Sequence, residues 1–195
     1  MRRARALVAL LLFAPVPAAP VLAAPDLVDC PPSPDTGPEI RALLAEARAA
    51  ATEMEGRALT NRMWEIWSSA PDEQAQALLD RGMTARASYN FTEALDAFDR
   101  LIAYCPAYAE GYNQRAFVNF IRGDYGVALD DLDRAIALSP DHVAAAAGRA
   151  LTLLGMGEIA EGQAALRAVL ARHPWLPERG HLIPEDQIPG QGQKL

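Results

Sequence analysis

Apolar and polar residues follow a helical period through most of this chain, and the pattern recurs at a fixed distance. Three blocks of 34 residues, beginning at Ala75, Ala109 and Val143, align without a gap. A turn interrupts the helical pattern once in each block, so each block is predicted to hold two helices. Two helices per 34 residues predict an all-α fold, an α-solenoid of antiparallel helix hairpins.

The recurring positions have physical reasons. The eighth and twentieth places carry small residues, where the helices of a hairpin approach closely: Gly82, Ala116 and Ala150, then Ala94, Ala128 and Gly162. Four places after the second small residue, on the same helical face, stand Phe98, Leu132 and Leu166. The turns between helices are Tyr89-Asn90-Phe91, Gly123-Asp124-Tyr125 and Gly157-Glu158-Ile159. The second helices end at prolines, which lack an N–H and cannot continue a helix: Pro106, Pro140 and Pro174.

In this combination the chain resembles the tetratricopeptide repeat family. The middle block matches best, through Tyr112 to Ala116, Gly123-Asp124-Tyr125, Ala128 and Pro140. The resemblance covers Ala75 to Leu176 and implies repeats at 75–108, 109–142 and 143–176. The third repeat is expected to be the softest, because Gly162 replaces the usual alanine and Ala146 a common large aromatic.

The segments that flank the repeats are less regular. Residues 38–71 are predicted to form a helical pair, a degenerate repeat or an N-terminal cap, with apolar stripes at Ile40, Leu43, Leu44, Ala47 and Ala51 and at Leu59, Met63, Ile66 and Trp67. Trp64 and Trp67 can share a helical face and are expected to pack in the core, with an exposed ligand-binding pair as the alternative. Residues 177–195 form a tail rich in proline and glycine. The stretch Trp175 to Ile188, which includes the start of this tail, is expected to lie across the last hairpin. Residues beyond Pro189 are expected to be disordered.

The first 23 residues are typical of a secretory signal peptide. Arg2, Arg3 and Arg5 precede an apolar run from Ala6 to Phe13, and small residues surround a cut after Ala23 or Ala24. The run is too short to span a bilayer, although an uncleaved anchor is the alternative. A proline-rich leader, 24–37, follows. The abundance of alanine and arginine favours a bacterial source with a GC-rich genome, so a periplasmic or secreted location is predicted.

The net charge excludes some classes of partner. The chain carries a formal charge of −7, and removal of residues 1–23 deletes three arginines and no acids, giving 15 − 25 = −10. An acidic protein is a poor ligand for nucleic acid and for anionic lipid. No segment after residue 23 approaches the length of a membrane span, so none is expected in the mature chain.

The two cysteines, Cys30 and Cys105, are predicted to pair. An even count in an oxidising compartment favours a disulfide. The alternative is a buried, unpaired Cys105 with a free Cys30. Their spacing does not fit a thioredoxin-like redox motif.

Catalytic chemistry finds little support in the residues. Neither a His-Glu-x-x-His metal motif nor a Gly-x-Ser-x-Gly nucleophile elbow is present. His142 and His173 are expected to lie at helix ends, and a solvated face is expected for the acids of the second helices, Asp96, Asp99, Asp130, Asp131 and Asp133. The chain is therefore predicted to be no enzyme, with no cofactor and no metal site.

The resemblance implies a concave surface formed by the second, fifth, ninth and twelfth places of each repeat. These are Gln76, Leu79, Met83 and Arg86, then Glu110, Asn113, Phe117 and Phe120, then Ala144, Ala147, Leu151 and Leu154. Family members that clamp a peptide carboxylate use basic and amide side chains at set places, two of which here are Leu79 and Met83. An apolar groove for a protein or peptide segment is predicted instead, at Met83, Asn113, Phe117, Phe120, Leu151 and Leu154.

The sequence is compatible with several occupants of that groove. The leading hypothesis is a non-enzymatic periplasmic adaptor with an external partner. The alternative is an accessory subunit of an envelope assembly or secretion complex. In that case the groove would be covered by the chain's own leader helix, Pro38 to Met54, by its tail, or by the second copy in a homodimer.

Overall fold

The computed structural model describes residues 29–189, and this part of the chain is all helical. The predicted signal peptide, the start of the leader and the chain beyond Pro189 lie outside the described residues. The α-helices are α1 Gly37–Ala49, α2 Glu53–Trp67, α3 Glu73–Ala87, α4 Phe91–Tyr104, α5 Ala109–Arg122, α6 Tyr125–Leu138, α7 Val143–Gly155 and α8 Ile159–Leu170. Two short 3₁₀ helices, Pro177–His181 and Glu185–Gln187, follow. None of these helices is long and apolar enough to cross a membrane.

Three stacked hairpins, α3–α4, α5–α6 and α7–α8, form the solenoid, so the predicted fold class is confirmed. The small residue at the eighth place allows each pair of helices to approach. A Cβ atom on Gly82 would lie 2.3 Å from Cε1 of Phe98, and Ala116 and Ala150 are fully buried at the equivalent places. Any larger side chain there would push the two helices apart.

Each hairpin turn places one residue in the left-handed region. The residues are Tyr89 (φ 60°), Gly123 (φ 81°) and Gly157 (φ 86°). Glycine adopts this conformation without a steric penalty, whereas the Cβ of tyrosine does not fit it well. The first turn is therefore the strained one, and the Tyr89 side chain is 78% exposed beyond it.

Helices α1 and α2 form the helical pair predicted at 38–71, and they pack on the third hairpin, although α3 of the first hairpin follows them in the chain. Ile40 and Leu43 of α1 and Met63 of α2 are buried in one cluster with Val143 and Leu166. The hairpin expected to be the softest is thus the one that receives an additional layer.

The position of α2 is fixed by contacts with residues distant in sequence. Gly56 lies against the Cβ of Trp175, since a Cβ on the glycine would lie 2.3 Å away. At the other end of α2, the Trp67 ring stacks on the His142 ring with centroids 4.1 Å apart, and the Trp67 carbonyl accepts a hydrogen bond from Tyr108 Oη (2.6 Å). We call the residues that precede α3, α5 and α7, namely Asp72, Tyr108 and His142, the helix-start edge. The C-terminal end of α2 lies on this edge.

The leader and the tail are both attached to the repeats. Cys30 and Cys105 are joined by a disulfide with a Cα–Cα distance of 5.2 Å, the pairing that the sequence favoured. The tail lies along α8, where Gln163 Nε2 donates to the carbonyl of His181 (2.7 Å) and Gln163 Oε1 accepts from Ile183 N (3.1 Å). The tail therefore covers part of the last hairpin, as its apolar residues suggested.

Candidate functional site

The concave surface holds a pocket of about 430 Å³ between the first helices of the three repeats. Five of the six predicted groove residues line it: Met83, Asn113, Phe117, Phe120 and Leu151. The sixth, Leu154, does not line it. Its side chain packs on α8, where a Cβ on Gly162 would lie 2.7 Å from Leu154 Cδ2. We call this cavity the concave pocket.

The predicted inward-facing positions divide into two sets. Met83, Phe117 and Leu151 at the ninth place line the concave pocket, as do Arg86 and Phe120 at the twelfth. Those at the second and fifth places are largely covered, and Leu79, Glu110 and Ala147 are at most 1% exposed. At the third repeat the cover is the α1–α2 pair, whose apolar cluster contains Ala147.

Phe117 is the most exposed aromatic residue of the concave pocket. Its side chain is 47% exposed, and the Arg86 guanidinium carbon lies 4.8 Å from the centroid of its ring. Asn113, another predicted groove residue, is buried and donates from Nδ2 to Glu110 Oε2 (3.1 Å). The pocket thus offers apolar surface, while its asparagine is already engaged.

Sequence analysis missed the other walls of the concave pocket. Trp64 of α2, Ser68 directly after that helix and Glu178 of the tail line it. The Oε2 atom of Glu178 is buried, and it has no hydrogen-bond partner among the described residues. The spacing of Trp64 and Trp67 favours the core for both and leaves a ligand-binding pair as the alternative; Trp67 is buried, whereas Trp64 lines the pocket. Glu178 follows a proline in a tail without periodicity, so no pattern pointed to it.

A buried polar cluster centred on Glu110 lies beside the concave pocket. His142 Nδ1 accepts a hydrogen bond from Ala145 N (3.2 Å), so its Nε2 is the atom that donates to Glu110 Oε2, at 2.8 Å. Gln114 Nε2 donates to the other carboxylate oxygen, and Gln114 Oε1 accepts from Arg86 Nη1. Burial lowers the pKa of Arg86, and the Glu110 charge opposes this shift. The sequence predicted His142 only as a helix-end residue.

The second histidine of interest, His173, is also fully buried. Thr60 Oγ1 donates to the carbonyl of Gly56 (3.0 Å), so His173 Nε2, 2.8 Å from the same hydroxyl, acts as the donor to it. Burial lowers the pKa of His173. The described part of the chain contains no group of three histidines, cysteines or acids arranged to hold a metal ion.

One acid expected on a solvated face is buried. Asp131 is 5% exposed and accepts a bidentate pair from Arg115, with Nε to Oδ2 at 2.8 Å and Nη2 to Oδ1 at 2.6 Å. Arg115 also contacts Asp99 of the preceding hairpin, and both hydrogen bonds raise its pKa. Arg115 lies on α5 and bonds both Asp99 of α4 and Asp131 of α6. This bridge buries Asp131 and holds neighbouring hairpins together.

Comparisons with known proteins agree with this architecture. Residues 120–176 match the tetratricopeptide repeat family. The chain is 43% identical over 67 residues to a tetratricopeptide repeat protein 36 homolog of Nematostella vectensis, over 34% of this chain and 37% of the relative. It is 37% identical over 75 residues to human tetratricopeptide repeat protein 36, over 38% of this chain and 40% of the relative. The matches thus span about two-fifths or less of each relative's length.

Solved structures of low sequence identity share the fold. The first TPR domain of Spaghetti (RPAP3), bound to the HSP90 peptide SRMEEVD, has a TM-score of 0.54 at 21% identity, covering 56% of this chain and 86% of that one. The TPR2B domain of yeast Sti1, in a complex with pHsp70, gives 0.51 at 22% identity over 54% and 84%. The Arabidopsis OM64 TPR domain gives 0.54 at 19% identity over 56% and 90%.

Proposed function

Since this chain is a tetratricopeptide-repeat protein, we propose that it is a non-enzymatic adaptor that binds a protein or peptide segment in the concave pocket. The observation that carries the proposal is the exposed apolar surface of the pocket, above all Phe117 at 47% exposure. A half-exposed aromatic ring in a concave, largely apolar cavity is typical of a site for a partner's side chain. The related domains of RPAP3 and Sti1, which are complexed with an HSP90 peptide and with pHsp70, support the same class of ligand.

The proposal includes export to the periplasm. The pattern of residues 1–23 favours a signal peptide, and the disulfide between Cys30 and Cys105 suits an oxidising compartment. Cell fractionation of a C-terminally tagged protein, with N-terminal sequencing of the product, tests this part. A soluble periplasmic product that starts near Ala24 or Pro25 is expected. An intact N-terminus in the cytoplasm would contradict export.

A second candidate is an accessory subunit whose concave surface is covered from within the assembly. The α1–α2 pair already covers Ala147, and Glu178 of the tail lines the pocket. Under this alternative, the remaining space is filled by further movement of the leader or tail, or by a second copy of the chain.

An affinity experiment distinguishes these functions. The purified protein is used as bait against periplasmic extract beside two variants, Phe117→Glu in the concave pocket and Val127→Glu on α6. Val127 is a matched control, because it is 54% exposed and does not line the pocket. An adaptor is expected to retain its partner with the Val127 variant and lose it with the Phe117 variant.

Light scattering on the free protein completes the test. A dimer that dissociates only in the Phe117 variant would identify a second copy as the occupant of the pocket. A folded monomer with no partner would contradict the adaptor proposal and favour the covered groove.

A further inference from the structure

We infer that the concave pocket selects a partner segment with a basic side chain, lysine or arginine, beside a bulky apolar one, the basic group pairing with Glu178. This inference rests on the proposed function, because it assigns the chemistry of the segment that the pocket binds. It concerns two features of the pocket, the carboxylate of Glu178 and the apolar wall.

The first feature is the carboxylate of Glu178. Glu178 lines the pocket, and its Oε2 atom is buried without a hydrogen-bond partner among the described residues. A buried carboxylate oxygen without a donor is costly, since the lost hydration is not replaced. A donor supplied by a ligand would recover that cost, and the strongest such donor is a cationic side chain.

The cations near this carboxylate are engaged elsewhere. Arg179, the next residue, donates from Nη2 to Glu53 Oε2 at 2.6 Å, and its guanidinium lies over the Trp175 ring. Arg86, on another wall of the pocket, donates to Gln114, which in turn bonds the buried Glu110 carboxylate. The charge of Arg86 therefore has a counterion within the fold, whereas Glu178 has no ion-pair partner within residues 29–189.

The second feature is the apolar wall. Phe117, Phe120 and Leu151 line the cavity with little polar competition, because Asn113 and Gln114 are already bonded to Glu110. This surface accepts the apolar side chain of the segment. The combination of an apolar wall with one unpaired acid is complementary to a segment that alternates large apolar and basic residues.

The overall charge favours the same choice. With a formal charge of −7, the protein attracts basic segments and repels acidic ones before contact. An acidic peptide such as the HSP90 segment SRMEEVD, bound by the related RPAP3 domain, would bring like charge towards Glu178. The segment expected to bind here is therefore basic, whereas that peptide is acidic.

Selection from a phage-displayed library of random peptides tests the inference without knowledge of the natural partner. The purified protein, Glu178→Gln, Phe117→Glu and the control Glu185→Gln are used as parallel targets. Glu185 is a matched tail acid, since its side chain is 78% exposed and lies outside the concave pocket. Circular dichroism melting confirms that each target is folded.

The expected result is enrichment of peptides with both bulky apolar and basic residues on the wild-type protein and on Glu185→Gln. Glu178→Gln should retain apolar enrichment and lose the basic one, and Phe117→Glu should enrich nothing. A selected peptide should bind Glu178→Gln about tenfold more weakly than the wild type. Its counterpart with norleucine for the basic residue should bind both proteins equally.

The failures are distinguishable. Apolar peptides without basic enrichment, or with acidic enrichment, would overturn the role of Glu178 and leave the peptide-binding proposal standing. Basic enrichment that persists on Glu178→Gln would also overturn it, because another acid would then be responsible. If no peptide is selected on folded wild-type protein, the proposed function fails, and this inference fails with it.

Discussion

The first helices of the repeats are covered at their N-terminal ends and border a partly exposed pocket toward their C-terminal ends. At the helix-start edge, α2 covers the repeats, and Glu110 and His142 satisfy each other in a buried hydrogen bond. Toward the C-terminal ends of the same helices, the concave pocket leaves Phe117 half exposed and one oxygen of Glu178 without a partner. The N-terminal ends of these helices are therefore packed within the fold, whereas the pocket near their C-terminal ends is where we propose that a partner binds. Substitutions at the two ends are expected to have correspondingly different effects.

The largest effect is expected at the covered end, from loss of the disulfide. The bridge joins residues 75 apart in sequence and attaches the leader near the helix-start edge. Replacing both cysteines by serine should lower the free energy of unfolding by about 4 kcal/mol, because the unfolded chain regains the entropy of an open loop. Urea denaturation of the Cys30→Ser/Cys105→Ser variant measures this change.

Reduction of the wild-type protein with dithiothreitol is the control, since it should reproduce the loss without a substitution. Hydrogen exchange should show that protection falls most in α1. If the midpoint of denaturation is unchanged, the disulfide does not hold the leader on the repeats.

The next effect concerns the buried pair at the same edge. Glu110→Ala removes the acceptor for His142, Asn113 and Gln114, and leaves Arg86 without its counterion. The free energy of unfolding should fall by about 3 kcal/mol, because unpaired polar groups remain buried.

The comparison for this variant is Glu161→Ala on α8, whose side chain is 62% exposed. Its free energy of unfolding should change by less than about 0.5 kcal/mol. Equal losses in the two variants would show that the cluster around Glu110 contributes no more than a surface acid, and the contrast between the two ends would disappear.

The sequence predicts much of the difference between the covered and exposed ends of the first helices, but only where the residues follow a helical period. The repeat pattern gave the hairpins and the inward orientation of Met83 and Phe117, because helical spacing alone determines which residues share a face. Glu110 was placed on the inward face, but its bond to His142 was not foreseen, since the two residues lie at opposite ends of the second repeat, 32 positions apart.

The position of α1 and α2 could not be predicted in this way. It depends on the contact of Gly56 with Trp175 and on the stacking of Trp67 on His142, both between residues far apart in sequence. Glu178 was missed for a related reason, because a proline-rich tail has no period from which its direction could be inferred.

A smaller effect, of opposite sign, is expected at the turns that end the first helices. Tyr89 occupies the left-handed position held by Gly123 and Gly157 in the other repeats. Tyr89→Gly should raise the free energy of unfolding by about 1 kcal/mol, since relief of strain exceeds the added entropy of the unfolded glycine. Gly123→Ala should lower it by a similar amount. Thermal melts of both variants test the pair, and a loss of stability in Tyr89→Gly would mean that its ring contact with Phe91 matters more than backbone strain.

The smallest effect on folding is expected in the concave pocket itself. Phe117→Ser removes an aromatic ring, yet that ring is 47% exposed and the Arg86 guanidinium lies over it. The free energy of unfolding should fall by only about 0.5 kcal/mol, the magnitude of an exposed cation–π contact. Leu79→Ser, at a fully buried inward position of the first repeat, is the control and should cost several times more. If the two substitutions prove equally destabilising, Phe117 is part of the core, and the exposed ring is maintained for stability rather than for a partner.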